Sequence, residues 1–511
     1  MSELDLPPWG LFIGGKWVAT EEHDEVINPA TEEVIGLAAR GTAAHVDLAV
    51  EQARLAHERG EWRLLPPSER ADVLDRWVEA MSQGMDELSE VHAAENGSPI
   101  RTAFGFHVGY SISHLKYFAD LARAYPFTQG GPAMSYPTAA MGMVRREPIG
   151  VCGAIVPWNF PLLLAIWKIG PALAAGNTMV IKPDVKTPLT LLMIAAMAEQ
   201  AGIPEGVFNV VTGPGSVIGA RIAEHPQVRK VAFTGSTRVG KEVMIAAAGN
   251  LKKVTLELGG KGPNIVLPDA DLDCAVDGSI FAFLLQSGQA CESGTRLLLH
   301  EDIHDEFVDR LVKRIADVRM GDPMDQDTDM GPLISAEQRE RVLGYIESGM
   351  AQGARLVVGG GVPEGPEFER GFWVEPTVFT DVTSDMIIAR EEIFGPVLVV
   401  QRYSSIDEAV AIANDTEYGL TAGVWSTDVG AAMEVAERIE SGTVWINDWH
   451  MVSCEYPFGG VKQSGIGREL GPQSIDEYTE PKFVHVDLAG PRERHIFDVV
   501  LSTPPGEGGA S

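Results

Sequence analysis

The feature that most constrains the fold of this chain is a regular alternation of strand-like and helix-like segments between residues 147 and 257. Short apolar runs occupy 150–156, 178–181, 207–211, 230–233 and 253–256, and helix-like stretches such as 189–200 and 239–248 separate them. Because parallel strands must be joined by long, usually helical crossovers, this alternation predicts a doubly wound α/β fold around a mostly parallel sheet. Sheets of this kind bind ligands outside the carboxyl ends of their strands.

Local signals at the helix ends support this pattern. Thr187 followed by Pro188 is typical of a helix N-cap and first helical position, and Gly202 and Gly249 stand where helices are expected to end. The sequence therefore predicts a helix that begins with Thr187 as its cap and stops at Gly202.

A second α/β region follows residue 261. Residues 307–319 and 336–352 are predicted as helices, the latter capped by Ser335, and 355–358, 373–378 and 397–402 are predicted as strands. Alternating residues within 124–145 and at 482–486 indicate two further strands without neighbours in sequence. Because an unpaired strand exposes backbone hydrogen-bonding groups, both need partners, and a sheet shared between subunits is one solution.

Length and charge bound the organisation and the partners of the chain. Its 511 residues are too many for one core, so two or three packed units are expected. Its formal net charge of −32 repels nucleic-acid phosphates and anionic lipid head groups, so neither is an expected partner. The N-terminus lacks signal-peptide features, and the most apolar stretch, 160–176, is interrupted by Lys168 and Pro171, so no membrane span is predicted.

The cysteines indicate a reducing compartment. The chain has four, Cys152, Cys274, Cys291 and Cys454, too few for a disulfide framework, and none has a partner at metal-binding spacing. We therefore predict a cytoplasmic protein without a metal site. The tail at 503–511 is rich in proline, glycine and serine and is predicted to be disordered.

Two segments could supply a nucleophile and a base. Cys291 ends the run FAFLLQSGQAC among small neighbours that would let another group approach its sulfur, although a single cysteine is more often a small core residue. Glu257 stands at the end of a buried-looking strand, where desolvation would raise its pKa toward that of a general base. The alternative is a structural carboxylate paired with Lys261.

Two further segments could bind an oxyanion and a phosphate. Asn159, in VPWNFP between a strand and a helix, could aim its side-chain amide at an oxyanion, or could simply cap the helix. The segment FTGSTRVG at 233–240 is a strand, a glycine turn and a helix start, and such a helix N-terminus could face a pyrophosphate. It is not the GxGxxG fingerprint of dinucleotide-binding proteins.

Taken together, these segments resemble the aldehyde dehydrogenase superfamily. The matching words, which occur in family order, are PWNFP (157–161), IKP (181–183), FTGSTRVG (233–240), LELGGK (256–261), GQACESGTR (288–296), EEIFGPV (391–397) and PFGGVKQSGIGRELG (457–471). Glu257 and Cys291 are 34 positions apart, a separation typical of the family. The resemblance extends from about residue 11 to about residue 486.

The resemblance implies a mechanism and an architecture. Cys291 would attack the aldehyde, Asn159 and the Cys291 N–H would hold the oxyanion, and Glu257 would activate the water that hydrolyses the thioester. The fold would combine a Rossmann-like doubly wound cofactor domain (1–124 and 149–259), an α/β catalytic domain (260–478) and a small β oligomerisation arm (125–148 and 479–490), with 491–511 as a C-terminal tail. A homodimer or homotetramer is expected.

The resemblance also implies a cofactor site. The residues expected to contact a nicotinamide dinucleotide are Trp158, Lys182, Gly235, Ser236, Gly240, Leu258, Glu392 and Phe394. One position departs from the family pattern, because Val185 stands where many members have a glutamate that binds the adenosine ribose. Valine offers no hydrogen bond to a 2′-hydroxyl and no charge against a 2′-phosphate, so this position does not select between the two cofactors. NAD is the expected cofactor, and NADP or use of both stays open.

The expected substrate is a small-molecule aldehyde with an apolar body. The entry tunnel implied by the resemblance would be lined by Phe160, Leu164, Trp167, Met451, Cys454 and Phe458, which include no arginine to bind a carboxylate. Glu292, directly after the nucleophile, is expected to point away from it, as adjacent side chains usually do. The alternatives are a CoA-acylating or phosphorylating dehydrogenase and a binding protein that has lost activity. The presence of Glu257 favours hydrolysis over the first, and the joint presence of Cys291, Glu257 and Asn159 favours an enzyme over the second.

Overall fold

The computed structural model describes residues 9–501, apart from the side chains at 493 and 498, and its first unit is built on an eight-stranded sheet. In spatial order the strands are Gly465–Ile466, Lys253–Glu257, Lys230–Thr234, Val151–Ile155, Thr178–Lys182, Phe208–Val210, Leu11–Ile13 and Lys16–Val18. The five from Lys253–Glu257 to Phe208–Val210 are parallel and coincide with the five predicted runs. The predicted doubly wound α/β fold is therefore confirmed.

Helices cover both faces of this sheet. The helices of this part of the chain are Ala43–Arg59, Pro67–Gln83, Met85–Asn96, Ile100–Thr102, Tyr110–Ala124, Pro161–Ala174, Leu189–Ala201, Ala220–Glu224 and Thr237–Ala247, with π-helical turns at Ala103–Gly109 and Gly215–Gly219. The apolar stretch 160–176 forms the helix Pro161–Ala174, which is wholly buried, Lys168 included, because it is apolar around nearly its whole circumference.

The predicted cap of the helix Leu189–Ala201 is wrong in one respect. Pro188, not Thr187, is the N-cap residue, and neither side chain caps the helix. The buried carboxylate of Glu95 instead accepts hydrogen bonds from the N–H groups of Leu189 and Thr190 at 2.8 and 3.1 Å and from the Thr190 hydroxyl at 2.6 Å. A neighbouring helix thus supplies the cap, while Gly202 ends the helix in the left-handed conformation as predicted.

The second unit is built on a seven-stranded sheet. Its strands, in spatial order, are Arg355–Val358, Thr377–Thr380, Val397–Tyr403, Arg296–His300, Pro263–Val266, Thr421–Trp425 and Thr443–Ile446, and only the first of these is antiparallel to its neighbour. The accompanying helices are Leu272–Leu284, His304–Ile315, Ala336–Ala351, Ile387–Arg390, Ile406–Asn414, Val429–Ala436 and Gln473–Glu477. Ser335 caps Ala336–Ala351, as predicted.

The strand predicted at 373–378 begins four residues later than expected, at Thr377. Pro376 has no N–H for a ladder hydrogen bond, so regular pairing starts only after it. Trp373 is nevertheless buried, and its indole N–H is satisfied by the Arg370 carbonyl.

The two predicted strands without neighbours in sequence pair with each other. Thr479–Asp487 lies antiparallel to Ala140–Pro148, which also pairs with Thr128–Gly130, and the result is a separate three-stranded sheet. A hairpin of His23–Ile27 and Val34–Ala39 completes the strands. A bilayer-spanning helix would have to be longer and more apolar than any helix in residues 9–501. The predicted disorder of 503–511 lies outside the described residues.

Candidate active site

Cys291 lies at the end of a sharp turn that follows the helix Leu272–Leu284. Gln286 and Ser287 both adopt the left-handed conformation, with φ of 56° and 55°, which redirects the chain towards the first sheet. The Cys291 carbonyl then lies against Gly260, where a Cβ atom would come within 2.2 Å of the carbonyl oxygen. A glycine is therefore required at 260 for the loop after Glu257 to meet the loop of Cys291.

Glu257 lies at the carboxyl end of the parallel strand Lys253–Glu257. Its Oε2 is 3.6 Å from the Cys291 Sγ, and the side chain is buried. Burial raises the pKa of Glu257 well above its usual range, and the nearby Glu469 carboxylate adds to this increase although Lys168 opposes it. The alternative pairing with Lys261 is not observed, because the buried Lys261 Nζ has no hydrogen-bond partner among the described residues.

Asn159 lies beside Cys291 in the loop after the strand Val151–Ile155. Both residues line one cavity, and the Asn159 Nδ2 donates to the Gln289 carbonyl at 2.9 Å. The Cys291 N–H donates to no acceptor within residues 9–501. A side-chain amide and a free backbone N–H near the sulfur are the groups that an oxyanion hole requires.

Buried amides brace this loop from behind. The Asn96 Nδ2 donates to the Trp158 carbonyl at 2.7 Å and more weakly to that of Asn159 at 3.3 Å. The Gln286 Nε2 in turn donates to the Asn96 Oδ1. The left-handed turn at Gln286 thus connects the Cys291 loop to the Asn159 loop, which the sequence patterns did not indicate.

Glu292 contradicts the prediction that it points away from Cys291. Its Oε2 lies 3.2 Å from the Cys291 Sγ, and its Oε1 lies 3.1 Å from the Nδ1 of His450, a buried residue not predicted from sequence. Although burial opposes it, the hydrogen bond and charge of His450 lower the pKa of Glu292. The pKa of the Cys291 thiol is raised well above its usual range, first by burial and then by the Glu257 and Glu292 carboxylates.

Two adjoining cavities lead from the edge of the first sheet to Cys291. The larger has a volume of about 570 Å³, and the smaller, about 210 Å³, contains Cys291 and Glu257. They share Pro157, Trp158, Thr234, Gly235 and Ser236 in their walls. Together they offer, at the carboxyl ends of the strands, a volume within the range typical of ligand and cofactor sites.

The walls of these cavities contain most of the predicted cofactor residues. Trp158, Gly235 and Ser236 line both cavities, Lys182 lines the larger, and Glu392 and Phe394 line the smaller. Ser236 also caps the helix Thr237–Ala247, whose N-terminus faces the larger cavity and favours an anion there. Burial raises the pKa of Glu392 to about 7, and its Oε1 accepts a hydrogen bond from the Gly260 N–H at 2.9 Å.

Gly240 and Leu258 lie behind these walls. A Cβ atom at Gly240 would come within 2.5 Å of the Leu258 Cδ2, so these two residues pack on each other, and neither lines the cavities. Val185 does not line them either, whereas Asp184 and Arg238 do.

A third, narrow cavity reaches Cys291 from the other side. Its volume is about 30 Å³, and four of the six predicted tunnel residues line it, namely Phe160, Leu164, Trp167 and Phe458. Met451 and Cys454 do not. The remaining lining, which the sequence patterns did not indicate, comprises Phe106, Tyr110, Leu163, Leu285, Glu292, His450 and Val452. The walls are therefore mainly aromatic and aliphatic.

Comparison with known proteins places these features in one family. The profile of the "Aldehyde dehydrogenase family" matches residues 17–484. A betaine aldehyde dehydrogenase of Bacillus subtilis (strain 168) is 44% identical over 93% of this chain and 96% of its own length. An aldehyde dehydrogenase of Emericella nidulans is 45% identical over 94% of this chain and 95% of its own.

Solved structures agree with this assignment. The NAD-dependent aldehyde dehydrogenase of Sinorhizobium meliloti superposes with a TM-score of 0.93 at 41% identity, over 96% of this chain and 97% of that one. An NAD⁺ complex of the Bacillus cereus enzyme gives 0.91 at 42% identity, over 94% and 97%. The chain therefore belongs to the aldehyde dehydrogenase family and is an NAD(P)-dependent enzyme that oxidises aldehydes.

Proposed function

We propose that the chain oxidises an apolar aldehyde to its carboxylic acid with NAD, through a thioester on Cys291 that is hydrolysed by water. The observation that carries the proposal is the position of the Cys291 Sγ. It lies 3.6 Å from the Glu257 Oε2, and Cys291 lines both the 210 Å³ cavity and the narrow cavity. A nucleophile, a buried carboxylate and two separate access routes are what this two-substrate reaction requires.

The first step is the attack of the Cys291 thiolate on the aldehyde carbon. A C–S bond forms, and the carbonyl π electrons move to the oxygen, which becomes an oxyanion. The Asn159 Nδ2 and the free Cys291 N–H can donate to that oxygen, although the amide must first release the Gln289 carbonyl. The chemistry that a bound nicotinamide supplies is hydride acceptance, which leaves a thioester on Cys291.

The second step is hydrolysis, with Glu257 as the general base. Its raised pKa makes it a stronger base than an exposed carboxylate once it is deprotonated. Glu257 takes a proton from water as the oxygen attacks the thioester carbon, and the C–S bond breaks to release the acid and the Cys291 sulfur. The presence of Glu257 beside Cys291 supports water rather than CoA as the acceptor of the acyl group.

Several residues fit a bound dinucleotide. Ser236 and the helix N-terminus at Thr237 are suited to its pyrophosphate, Lys182 to its adenosine ribose and Glu392 to its nicotinamide ribose. Two structural relatives are described as NAD⁺ complexes, which supports NAD here. With Val185 in place of a ribose-binding glutamate, use of NADP is the alternative.

The narrow cavity supports an apolar substrate. Its aromatic and aliphatic walls favour an aliphatic or aromatic aldehyde, and its charged residue Glu292 is already paired with His450. We also propose that the three-stranded sheet, with the exposed Phe483 and Met141 on its strands, is the oligomerisation arm of a cytoplasmic homodimer or homotetramer. The two large sheets support the domain division expected from the sequence.

The test is a panel of aldehydes with both cofactors, followed by absorbance of the reduced nicotinamide. We expect kcat/KM to be higher for hexanal and benzaldehyde than for succinic semialdehyde, and higher with NAD than with NADP. The opposite substrate order would overturn the apolar preference. Added CoA should give no acyl-CoA. If acyl-CoA forms, the acceptor of the acyl group is CoA and not water, and the proposed hydrolysis is wrong.

A further inference from the structure

The Cys291 sulfur lies between two carboxylates that belong to different cavities. Glu257 lines the 210 Å³ cavity, and its Oε2 lies 3.6 Å from the Sγ. Glu292 lines the narrow cavity, and its Oε2 lies 3.2 Å from the Sγ. Both cavities include Cys291. The thiol has one proton to donate, so the two carboxylates compete for it, and the shorter contact is with Glu292.

Glu292 is held in place by the second sheet and a neighbouring loop. Its backbone carbonyl accepts hydrogen bonds from the Thr421 hydroxyl at 3.0 Å and from the Trp449 indole N–H at 2.9 Å. Its Oε1 is 3.1 Å from the His450 Nδ1, and the His450 Nε2 is 3.3 Å from the Ala282 carbonyl. Both ring nitrogens therefore face acceptors, and His450 itself adopts the left-handed conformation with φ of 58°.

The other charged and titratable groups around the sulfur do not supply a positive charge that would offset the effect of the Glu257 and Glu292 carboxylates on the thiol. Glu392 contributes a third carboxylate that raises the pKa of the Cys291 thiol. Lys168 pairs with Glu469 and lowers the pKa of Glu257, against the effect of burial. His107 faces Glu292, but burial lowers its pKa to about 3, so it carries no positive charge at neutral pH.

We propose that Glu292, held by His450, is a positioning residue that keeps the Cys291 thiol protonated and directed away from Glu257 in the resting enzyme. The proposal rests on the proposed function, in which Cys291 is the nucleophile. The thiolate forms when the sulfur turns to Glu257, where the S–H bond breaks and an O–H bond forms on the carboxylate. Glu257 must pass this proton to solvent before it can take a proton from water in the hydrolysis step. The negative carboxylate of Glu292 disfavours the negatively charged thiolate. Glu292 therefore limits the reactivity of the sulfur until an aldehyde enters the narrow cavity.

The test is the pH dependence of Cys291 alkylation by iodoacetamide in the full-length enzyme, with the label located by peptide mass spectrometry. Glu292→Gln keeps the size of the side chain and removes its charge. We expect the midpoint of the pH profile to fall by about one unit, so that alkylation at pH 7 becomes about tenfold faster. A profile that coincides with that of the unaltered enzyme would overturn the proposal.

The chain offers a matched control in Glu455, which follows Cys454 as Glu292 follows Cys291. The Cys454 Sγ lies 3.5 Å from the Glu455 Oε2, outside the narrow cavity. Glu455→Gln should leave the Cys291 profile unchanged, and a shift as large as that of Glu292→Gln would overturn the proposal because it would show a long-range charge effect.

Glu292→Asp is the second variant if Glu292→Gln does not fold. It keeps the carboxylate charge but moves it away from the Cys291 Sγ by one methylene group. The midpoint of the alkylation profile should therefore fall by less than in the glutamine variant. An unchanged midpoint would overturn the proposal. If Cys291 stays unlabelled in every enzyme, the proposed function fails and the inference fails with it. If Cys291 is labelled and the midpoint does not move, only the inference fails.

Discussion

The Nζ of Lys168 lies 2.6 Å from the Oε1 of Glu469, and both side chains are buried beneath Glu257. The same ammonium donates to the Thr234 hydroxyl at 2.7 Å. The helix Pro161–Ala174, the strand Lys230–Thr234 and the segment before Leu470 thus meet at one charged group. A residue that only interrupts an apolar run in the sequence is, in the fold, the counter-charge of the buried carboxylates.

Lys168→Met is expected to lower the free energy of unfolding by about 3–5 kcal/mol, because it leaves the Glu469 carboxylate buried and unpaired. Urea denaturation measures this change. The control is Lys116→Met, which breaks surface ion pairs with Asp75 and Asp120 and should change the stability by about 1 kcal/mol or less. If both variants lose the same unfolding free energy, the buried Lys168–Glu469 pair contributes no more to stability than a surface ion pair.

Cys291→Ser is expected to lower kcat for aldehyde oxidation by about 10³-fold or more, because serine lacks a thiol that can ionise near neutral pH. Steady-state turnover with hexanal and NAD measures it. The exposed Cys274 provides the control, since Cys274→Ser should retain full turnover. Activity close to that of the unaltered enzyme in Cys291→Ser would rule out the thioester route.

Glu257→Gln is expected to slow thioester hydrolysis by about a hundredfold, so that rapid mixing shows a burst of reduced cofactor followed by slow turnover. Because the pKa of Glu257 is raised, its basic form accumulates only as the pH rises through that higher value. Hydrolysis in the unaltered enzyme should therefore increase with pH above the range in which an ordinary carboxyl group ionises, and this limb should disappear in the variant. If the variant keeps the hydrolysis rate and the pH profile of the unaltered enzyme, the general base of thioester hydrolysis is a group other than Glu257.

Val185→Glu is expected to raise the ratio of kcat/KM for NAD to that for NADP by about tenfold. Although Val185 does not line the cavities, a longer glutamate side chain that reaches them would accept hydrogen bonds from a ribose hydroxyl and repel a 2′-phosphate. Val185→Gln is the matched control, since it adds the hydrogen-bonding capacity without the charge. A ratio unaffected by either change would show that Val185 lies too far from the ribose to influence the choice.

Glu95→Gln is expected to make the unfolding free energy less dependent on pH. Burial raises the pKa of the folded Glu95 from 4.5 to about 7, so the folded protein binds this proton more tightly than the unfolded chain does. The stabilisation from the bound proton is therefore complete below pH 4.5 and is lost as the pH rises to about 7. The stability of the unaltered protein relative to Glu95→Gln should fall by about 3 kcal/mol between pH 4.5 and 7. A difference that stays constant over this range would exclude the titration.

The elements that the sequence predicted best are those with a local physical cause. The strand Thr178–Lys182 is a fully buried parallel strand, so its continuous apolar run is visible in sequence, and Gly202 ends a helix because glycine tolerates positive φ. The short segments that resemble the aldehyde dehydrogenase superfamily likewise indicated Cys291, Glu257 and Asn159. Their meeting in space is an outcome of topology. Glu257 and Asn159 lie at the carboxyl ends of two parallel strands that flank Lys230–Thr234, and Cys291 belongs to the second unit.

The sequence by itself determined the α/β class, the family and the chemical types at the site. Only the tertiary structure decided what surrounds those groups, because the partners are distant in the chain. Glu95 caps a helix that begins 94 positions later, and His450 holds Glu292 across 158 positions. Met451 and Cys454, predicted to line the substrate tunnel, do not line the narrow cavity at Cys291, whereas Glu292, expected to face away, contacts the sulfur. Side-chain direction and burial depend on packing between distant segments, and no local pattern encodes them.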